Sequence, residues 1–547
     1  MKLLWLDLNS SYAHSSLALP ALHAQIADDT TVEWCMVSAT INENTGNIVK
    51  QIYQHQPDII AATNWLFNHE QLLHIVSRAK ALLPQCCIIL GGPEFLGDNK
   101  DFLFKNKFVN GVFRGEGEEV FPLWLKVWNR PRKEWKSITG LCYLDESEEY
   151  QDNGIARVMN FSALVSPERS RFFNWSKPFV QLETTRGCFN TCAFCVSGGE
   201  KPVRTIPLEA IRERLDNIHQ HGIKNVRVLD RTFNYNNKRA KELLNLFLEF
   251  SPDICFHLEI HPALLSEELK KELAGLPKGL LHLEAGIQSL REPVLEQSRR
   301  MGRLSDALDG LKYLCSLHNM ETHADLIAGL PLYHLSEIFE DIHTLAEYGA
   351  GEIQLESLKL LPGTEMRRRA EELGIQYAPL PPYEVLQTRE ISVDELQTAR
   401  VLSRLLDGFY NTPTWQNITR TLMLENEHFL HHFLDHLMQI GLIDQPLSLE
   451  KRGLILYEFC KQNYPAYQTQ VSIAWIEAGM SLKKLPAEKV KTKRQIPPET
   501  WITIYGKYKE TLRLCFLPAN QEGQAGYWFG FESEIQKAEP VFKALTM

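Results

Sequence analysis

Three cysteines, Cys188, Cys192 and Cys195, stand in a Cys-x3-Cys-x2-Cys pattern within 183-ETTRGCFNTCAFCVSGGE-200. A structural zinc site is closed by four ligands, and an ordinary [4Fe–4S] cluster also takes four cysteines. No fourth cysteine is near; Cys142 and Cys255 come next along the chain. Three thiolates alone leave one metal position open, as catalytic metal sites generally do. The spacing by itself also allows a zinc site with a distant fourth ligand, or three unrelated cysteines.

Other polar residues interrupt apolar runs. Glu259 lies in HLEI, Glu284 and Gln288 in HLEAGIQS, and Asp325 in HADLIAGLP. Such groups cost free energy when buried unless they are satisfied. A ligand in a barrel interior would satisfy them, and so would an internal hydrogen bond. In ENEHFLHHFLDHL, His428, His432 and His436 repeat every fourth residue. Leu430, Phe433, Leu434 and Leu437 define the opposite face, so these imidazoles are expected in solvent rather than on a metal. Lys483, Lys484, Lys489, Lys491, Lys493 and Arg494 precede Trp501, Tyr505 and Tyr508. That run could grip phosphates and stack bases, but a basic solvated linker is the plainer account, so nucleic acid is a possible partner and not the favoured one.

The elements that must position these residues follow from periodicity. Residues 2–127 alternate apolar strands (2–8, 32–38, 58–63, 87–91, 111–115) with helical patterns such as 69–82 and 116–127. Buried strands with helical crossovers imply a doubly wound parallel sheet, with ligands outside the strands' carboxyl ends. Residues 128–178 are polar and turn-rich, with one hairpin expected around 140–145. From 179 six further strands are expected, at 179–184, 224–230, 254–260, 280–286, 322–328 and 352–360, with a helix over 207–221 among those between them. Six such units imply a partial (β/α)6 barrel whose chemistry sits at the strands' C-terminal ends. A helical stretch follows from about 392 to 464, then short antiparallel strands within 501–531.

The expected fold class is therefore α/β. An N-terminal doubly wound, Rossmann-like parallel sheet (1–130) leads through a linker and hairpin (131–175) to a partial barrel (176–378). A mainly helical α+β extension (379–547) of unknown role closes the order. The 547 residues carry a net charge of −10, which gives no general reason for a nucleic-acid or membrane partner. Eleven cysteines in so long a chain do not make a disulfide scaffold. No run is long and apolar enough for a membrane span, and a cytoplasmic protein is expected.

The cysteine pattern, with Phe194 as the aromatic before Cys195, resembles the signature of the radical SAM (S-adenosylmethionine) superfamily, over roughly 175–375. The resemblance implies that Cys188, Cys192 and Cys195 hold a [4Fe–4S] cluster. Its free iron would bind the amino and carboxylate groups of SAM, and one electron would release a 5′-deoxyadenosyl radical that takes a substrate hydrogen. Gly198-Gly199-Glu200 spells the Gly-Gly-Glu that binds the SAM amino group in many members. It stands only three residues after Cys195, whereas that signature belongs at the end of the second barrel strand. That strand ends in LDRTFN (229–234), so the amino contact is expected on Asp230 or Thr232 and Glu200 is taken as coincidental. Asp230 and Thr232 would serve equally well as a strand-end turn and helix cap. Phe194, Asp230, Thr232, Glu259, Glu284 and Gln288 form the expected SAM site.

A parallel sheet ahead of this barrel, with LGGPEF (90–95) and FRGEGEEVF (113–121), resembles the cobalamin-binding subgroup. The implied cobalamin site is Asn9, Ser10, Tyr12, Thr63, Trp65, Gly91, Gly92, Pro93, Glu94, Gly115, Glu116 and Gly117. The same glycines and glutamates also suit ordinary turns and helix starts. Where some cobalamin proteins have Asp-x-His-x-x-Gly, this chain has Asp7-Leu8-Asn9-Ser10-Ser11-Tyr12. No histidine from that motif is expected on cobalt, and His14 stands at the wrong spacing. The lower face would be open, water-bound or near Asn9.

The resemblance implies a cobalamin-dependent radical SAM enzyme, using a [4Fe–4S] cluster, SAM and cobalamin, that transfers a methyl group to an unactivated centre. Its substrate is unknown, and an electron donor of the flavodoxin or ferredoxin type is implied. The alternatives are a radical rearrangement, cyclisation or oxidation without methyl transfer, and a non-enzymatic Fe–S redox or metal sensor.

Overall fold

The computed structural model describes residues 1–13, 16–442, 445–487, 513–518, 526–531 and 539–546. His14, the basic run from Lys489 to Arg494, and Trp501, Tyr505 and Tyr508 lie outside the described residues. Two compact units are present, Met1–Ile338 with Ser357–Leu396, and Phe339–Glu356 with Gln397–Met547.

The first unit opens with five strands, β1 (Lys2–Asn9), β2 (Glu33–Thr40), β3 (Ile59–Thr63), β4 (Cys87–Gly91) and β5 (Gly111–Phe113). They run parallel in the order β2-β1-β3-β4-β5. Helices α1 (Ala18–Ala24), α2 (Thr45–His55), α3 (His69–Leu82), α4 (Lys100–Lys105) and α5 (Val120–Leu125) make the connections. Side chains on a strand alternate between faces. Leu4, Leu6 and Leu8 of β1 therefore pack with Ile48 and Ile52 of α2 and Leu72 and Ile75 of α3. Leu3 and Trp5 pack on the other side with Leu19 of α1 and Phe121 and Trp124 of α5. The strand order reverses between β1 and β3, which opens a crevice at their carboxyl ends.

The expected linker does more than connect. Strands β6 (Leu141–Leu144) and β7 (Tyr150–Asp152) form the hairpin and pair antiparallel onto β5, making a sheet of seven strands. An exposed β5 would be a bare edge offering unpaired backbone groups. The hairpin covers it and buries Leu141, Cys142 and Tyr143 completely or nearly so.

The barrel strands are β8 (Val180–Leu182), β11 (Asn225–Val228), β12 (Cys255–Ile260), β13 (Leu281–Gln288) and β14 (Glu321–Ala328), with the short β9 (Thr185–Arg186) and β10 (Arg204–Thr205) between β8 and β11. Within the first unit they lie in the order β8-β11-β12-β13-β14, all parallel. The sixth expected strand, β15 (Glu352–Ser357), falls almost wholly in the second unit. Helix α6 (Leu208–Gln220) follows the cysteine segment and buries Ile211, Leu215 and Ile218. One face of the barrel sheet is apolar throughout: Phe256, Leu258, Ile260, Leu281, Leu283, Ala285, Ala324 and Leu326 are buried. The alternate positions are polar: His257 and Glu259, His282 and Glu284, His323 and Asp325.

The second unit carries the helices Pro413–Glu425, Phe429–Gln439, Leu449–Asn463 and Gln468–Glu477. A three-stranded antiparallel sheet follows, Arg513–Pro518, Gly526–Phe531 and Phe542–Thr546. The third of these strands was not expected. Phe429, Leu430, Phe433, Leu434 and Leu437 are the buried stripe of their helix, and His428 and His432 lie exposed as the periodicity predicts, whereas His436 is half-buried with its ring 5.2 Å from that of Phe459. No helix among the described residues is long and apolar enough to cross a membrane.

Two adjacent ion pairs anchor the segment ahead of β8 to α6. Glu168 and Arg214 are bonded in a fork at 2.9–3.1 Å, with side chains 0% and 6% exposed. Arg169 and Glu213, their sequence neighbours, form a pair 65% exposed on both sides. Removing one partner of a buried pair strands the other charge. Glu168→Ala is expected to lower the unfolding free energy by about 3 kcal/mol. Arg169→Ala should change it by less than about 1 kcal/mol. Chemical denaturation of the two variants checks this, and equal effects would contradict it.

Candidate active site

The cysteine loop is closed at its base. Strands β9 and β10 pair antiparallel, with Arg186 opposite Arg204, so residues 187–203 form one loop carrying all three thiols. Inside it, Cys188 N–H donates to Glu200 O (3.1 Å), Gly199 N–H to Asn190 O (2.9 Å) and Cys195 N–H to Cys192 O (3.2 Å). Outside it, Ala193 N–H donates to Ser298 O (2.9 Å), Ala193 O accepts from Met366 N–H (2.8 Å), and Asn190 Oδ1 accepts from Met301 N–H (2.9 Å). A Cβ on Gly198 would lie 2.2 Å from Cys192 O, so this glycine is required for the loop to close. Glu200 is taken up by Arg204 at 3.0 Å and Arg157 at 3.3 Å.

Cys188 and Cys192 are buried, Cys195 and Phe194 half-buried. Burial pushes the Cys192 thiol up to about 11, opposed by the Arg300 guanidinium, whose Nη1 lies 3.7 Å from Sγ. Burial also raises the Cys195 thiol. These thiols are therefore protonated at neutral pH, and a metal must displace the protons to bind. Among the described residues no three His, Cys, Asp or Glu side chains converge as ligands of one metal ion. A cubane cluster makes no such demand, since each thiolate binds a different iron.

Around the loop the strand ends are tied together. Asp230, at the end of β11, is fully buried and accepts from Thr184 N–H (2.8 Å), Thr185 N–H (2.9 Å) and the Thr184 hydroxyl. Both its oxygens are occupied by the chain turning out of β8, which also explains why β8 stops at Leu182, short of the expected 184. Thr232 lies beside the cysteine loop, its Oγ1 3.9 Å from Cys188 Sγ, and donates to Arg231 O.

Glu259 and Glu284 face each other across β12 and β13, and Asp325 is on the neighbouring β14. Crowding of protein around Glu259 pushes its carboxyl up to about 7, against the pull of Arg231 at 3.9 Å, although 39% of its side chain still opens into the barrel mouth. Burial and the Glu284 carboxylate raise Asp325 as well. His261, at the end of β12, is held neutral, its pKa lowered to about 3 by burial and by Arg300. Three buried acceptors here have no protein donor: Gln288 Oε1, Asp325 Oδ1 and His261 Nδ1. A ligand bearing an ammonium group, hydroxyls and an amino-purine supplies donors, so this donor-poor mouth fits SAM.

The strand ends of the first sheet look different. Asn9 is buried and donates to Asp7, and Ser10 and Thr63 are half-buried. Tyr12 is 74% and Phe67 44% exposed, with Trp65 stacked on Phe67 at a centroid distance of 6.3 Å. Exposed aromatics at a sheet crevice fit a large flat ring system. Asn68 holds the crevice in shape, donating to Leu8 O (2.9 Å) and Thr63 O (3.1 Å). Gly91, Gly92 and Pro93 are half-buried on the same edge, and Glu94 is buried, accepting from Tyr383 Oη at 2.7 Å. The second glycine motif is bound up with the protein itself. Gly115 has φ +102°, and a Cβ there would lie 2.3 Å from Ala156 O. Gly117 packs near Leu22, and Glu116 is bonded by Arg204 at 2.6 and 2.9 Å.

Sequence reasoning overlooked Arg300, Asn190, His261 and Phe67. Arg299-Arg300 within EQSRRMGR was a visible signal, a pair of cations soon after Gln288.

Residues 182–345 match the radical SAM superfamily and residues 8–124 the B12 binding domain, while 371–542 match a protein family of unknown function. The chain thus carries a radical SAM domain and a B12 binding domain. Its cofactors are those of its two domains, a [4Fe–4S] cluster with SAM, and cobalamin. An uncharacterized methyltransferase of Pyrococcus horikoshii is 26% identical over 259 residues, 46% of this chain and 56% of that one. The cobalamin-dependent radical SAM methyltransferase TokK of Streptomyces tokunonensis is 20% identical over 353 residues, 60% of this chain and 51% of that one. The chain thus spans about half the length of the curated relatives it matches. Among solved structures, the cobalamin-dependent S-adenosylmethionine radical enzyme OxsB, with aqua-cobalamin and S-adenosylmethionine bound, superposes with a TM-score of 0.59. The identity is 16%, covering 84% of this chain and 75% of that one, and the likeness extends to the fold.

The raised carboxyls give this radical SAM protein a pH signature. Glu259 and Asp325 hold protons more tightly folded than unfolded, so their stabilising contribution is full below the ordinary carboxyl value and is lost as pH rises through about 7. His261 acts in the opposite sense, but its contribution is complete by about pH 6.5. In cofactor-free protein the melting temperature is expected to fall between about pH 5 and pH 7, and less so in Asp325→Asn. Equal slopes in the two proteins would remove Asp325 from this account.

Proposed function

We propose that the protein is a cobalamin-dependent radical SAM methyltransferase acting on an unactivated centre of a substrate not yet identified. One observation carries the proposal: a single compact unit holds both a three-thiol loop at a barrel mouth and an aromatic-lined sheet crevice. When bound, the cluster with SAM would supply a 5′-deoxyadenosyl radical and cobalamin a methyl group.

The chain's own residues have the following parts in this reading. Cys188, Cys192 and Cys195 hold the cluster, and Arg300 places a positive charge against the Cys192 sulfur. Phe194 lies beside the thiols. Thr232, Gln288, Glu259 and Glu284 line the SAM position, with His261 a fixed neutral acceptor. Asp230 acts as a positioning residue by pinning Thr184 and Thr185 at the entry to the loop. Asn9, Ser10, Tyr12, Thr63, Trp65, Gly91, Gly92 and Pro93 form the cobalamin edge. Glu94 steadies that edge through Tyr383. The Asp-x-His-x-x-Gly motif is absent after β1, so no histidine from it would hold cobalt, and Asn9 would lie among the residues that hold cobalamin. The reading places the protein in the cytoplasm, where a flavodoxin- or ferredoxin-type donor supplies the electron.

Anaerobic reconstitution with iron, sulfide and cobalamin tests the proposal. The protein should release 5′-deoxyadenosine under a strong reductant, and Cys192→Ala should abolish the release. With methyl-labelled SAM, label should reach cobalamin and then product. Release of 5′-deoxyadenosine with unlabelled product would point instead to rearrangement, cyclisation or oxidation. No release at all would favour an Fe–S sensor.

A further inference from the structure

Arg186 and Arg204 lie directly opposite each other where β9 and β10 close the cysteine loop. Like charges at opposed strand positions destabilise the pairing. Phe161 lies beneath both guanidinium groups, at 5.2 and 5.7 Å from its ring centroid, so water gives little help. The charges are met from two sides: on the barrel segment Glu183 bonds Arg186 at 2.8 and 3.1 Å and Glu200 bonds Arg204 at 3.0 Å, and the sheet domain adds two further carboxylates. Glu116 bonds Arg204 in a fork at 2.6 and 2.9 Å and approaches Arg186 at 3.4 Å, and Glu118 bonds Arg186 at 2.6 Å. Glu116 also accepts from Val158 N–H at 2.7 Å, which fixes its orientation. The side chains of all four residues are 9–16% exposed. Ala156, next to this point, sits where Gly115 leaves no room for a Cβ.

Resting on the reading of the three thiols as the cluster site, we propose that Glu116 and Glu118 are positioning residues for the cluster. The Gly-Glu-Gly-Glu motif of the cobalamin domain clamps the base of the cysteine loop through Arg204 and Arg186, and its carboxylates do not contact cobalamin. Burial works against the Glu116 carboxylate, but Arg204, the Val158 amide and Arg186 outweigh it and leave the group ionised. Both its oxygens are engaged within the protein, by Arg204 and the Val158 amide. The clamp makes the geometry of one cofactor's loop depend on the domain that carries the other.

The test uses full-length protein reconstituted anaerobically, with Glu116→Gln, Arg204→Gln and the double variant. The readouts are the rate of iron loss to a chelator, the electron paramagnetic resonance spectrum of the reduced cluster, and cobalamin affinity from its visible absorption. Each single variant is expected to lose iron about fivefold faster and to broaden the spectrum, and the double variant to lose it no faster than either. Cobalamin affinity should stay within about twofold of the parent. Should Glu116→Gln not fold, Glu116→Asp keeps the charge, shortens the reach and is measured the same way. Parent-like iron retention in every variant, multiplied effects in the double variant, or loss of cobalamin binding with the cluster intact would overturn the proposal. Failure of the parent protein itself to take up iron would instead sink the cluster reading on which it rests.

Discussion

A metal cluster with one open corner needs a loop whose shape does not depend on the metal. In this chain burial raises the Cys192 and Cys195 thiols, so these two are protonated before metal arrives and contribute no charge of their own toward a preformed site. The shape has to come from elsewhere, and it comes mainly from backbone. Ala193 is held on both its N–H and its carbonyl, by segments around residues 298 and 366, and Asn190 spans the loop and Met301. Gly198 permits the tight turn that brings Cys192 and Cys195 together. A loop anchored at residues far apart in sequence cannot keep its form unless the barrel around it is already assembled. Cluster binding and barrel integrity are in this sense one property.

The barrel sheet reflects the same demand. Its helix-facing side is packed hydrocarbon, while the alternate positions carry paired rows of histidines and carboxylates across β12, β13 and β14. A core would not tolerate such rows, because each unpaired charge costs several kcal/mol in a dry interior. They persist because the mouth is open and because Glu259 and Asp325 can hold a proton. The carboxyl proton is a makeshift counter-charge. A cationic ligand drawn into the mouth would release it, which ties ligand affinity to pH through the same groups that set the stability of the empty protein.

Much of this was legible in the sequence, for reasons that can be named. Helix α3 lies at 69–82 as the periodicity predicts, and the barrel strands begin within about two residues of expectation, because both are long repeats of one period. That Cys188, Cys192 and Cys195 share one loop was legible from their spacing, whereas a cluster role rested on the resemblance and not on the spacing. The way the hairpin at 141–152 covers β5 was not, since an edge needs covering only in three dimensions, and the polar turn between its strands hides it in one. The partner of Asp230 was also hidden. A buried carboxylate looks the same in sequence whether it binds a ligand or pins two threonines 45 and 46 residues earlier.

That last ambiguity can be argued further from bonding capacity. A carboxylate has a limited number of lone pairs, and those already filled by protein donors are not available to a cofactor. Asp230, Glu94, Glu116 and Glu200 all stand in motif positions that invite a ligand role, and each is engaged by a threonine, tyrosine or arginine of the chain itself. Gln288, Asp325 and His261 are less conspicuous in sequence and keep buried acceptors without a donor. In the proposed reading the motif-like acids hold the frame and the less conspicuous polar groups face the chemistry. The reason is physical: a frame that positions two cofactors must be rigid without them, so its charges have to be paired within the protein, and only what remains unpaired is left to recognise a ligand.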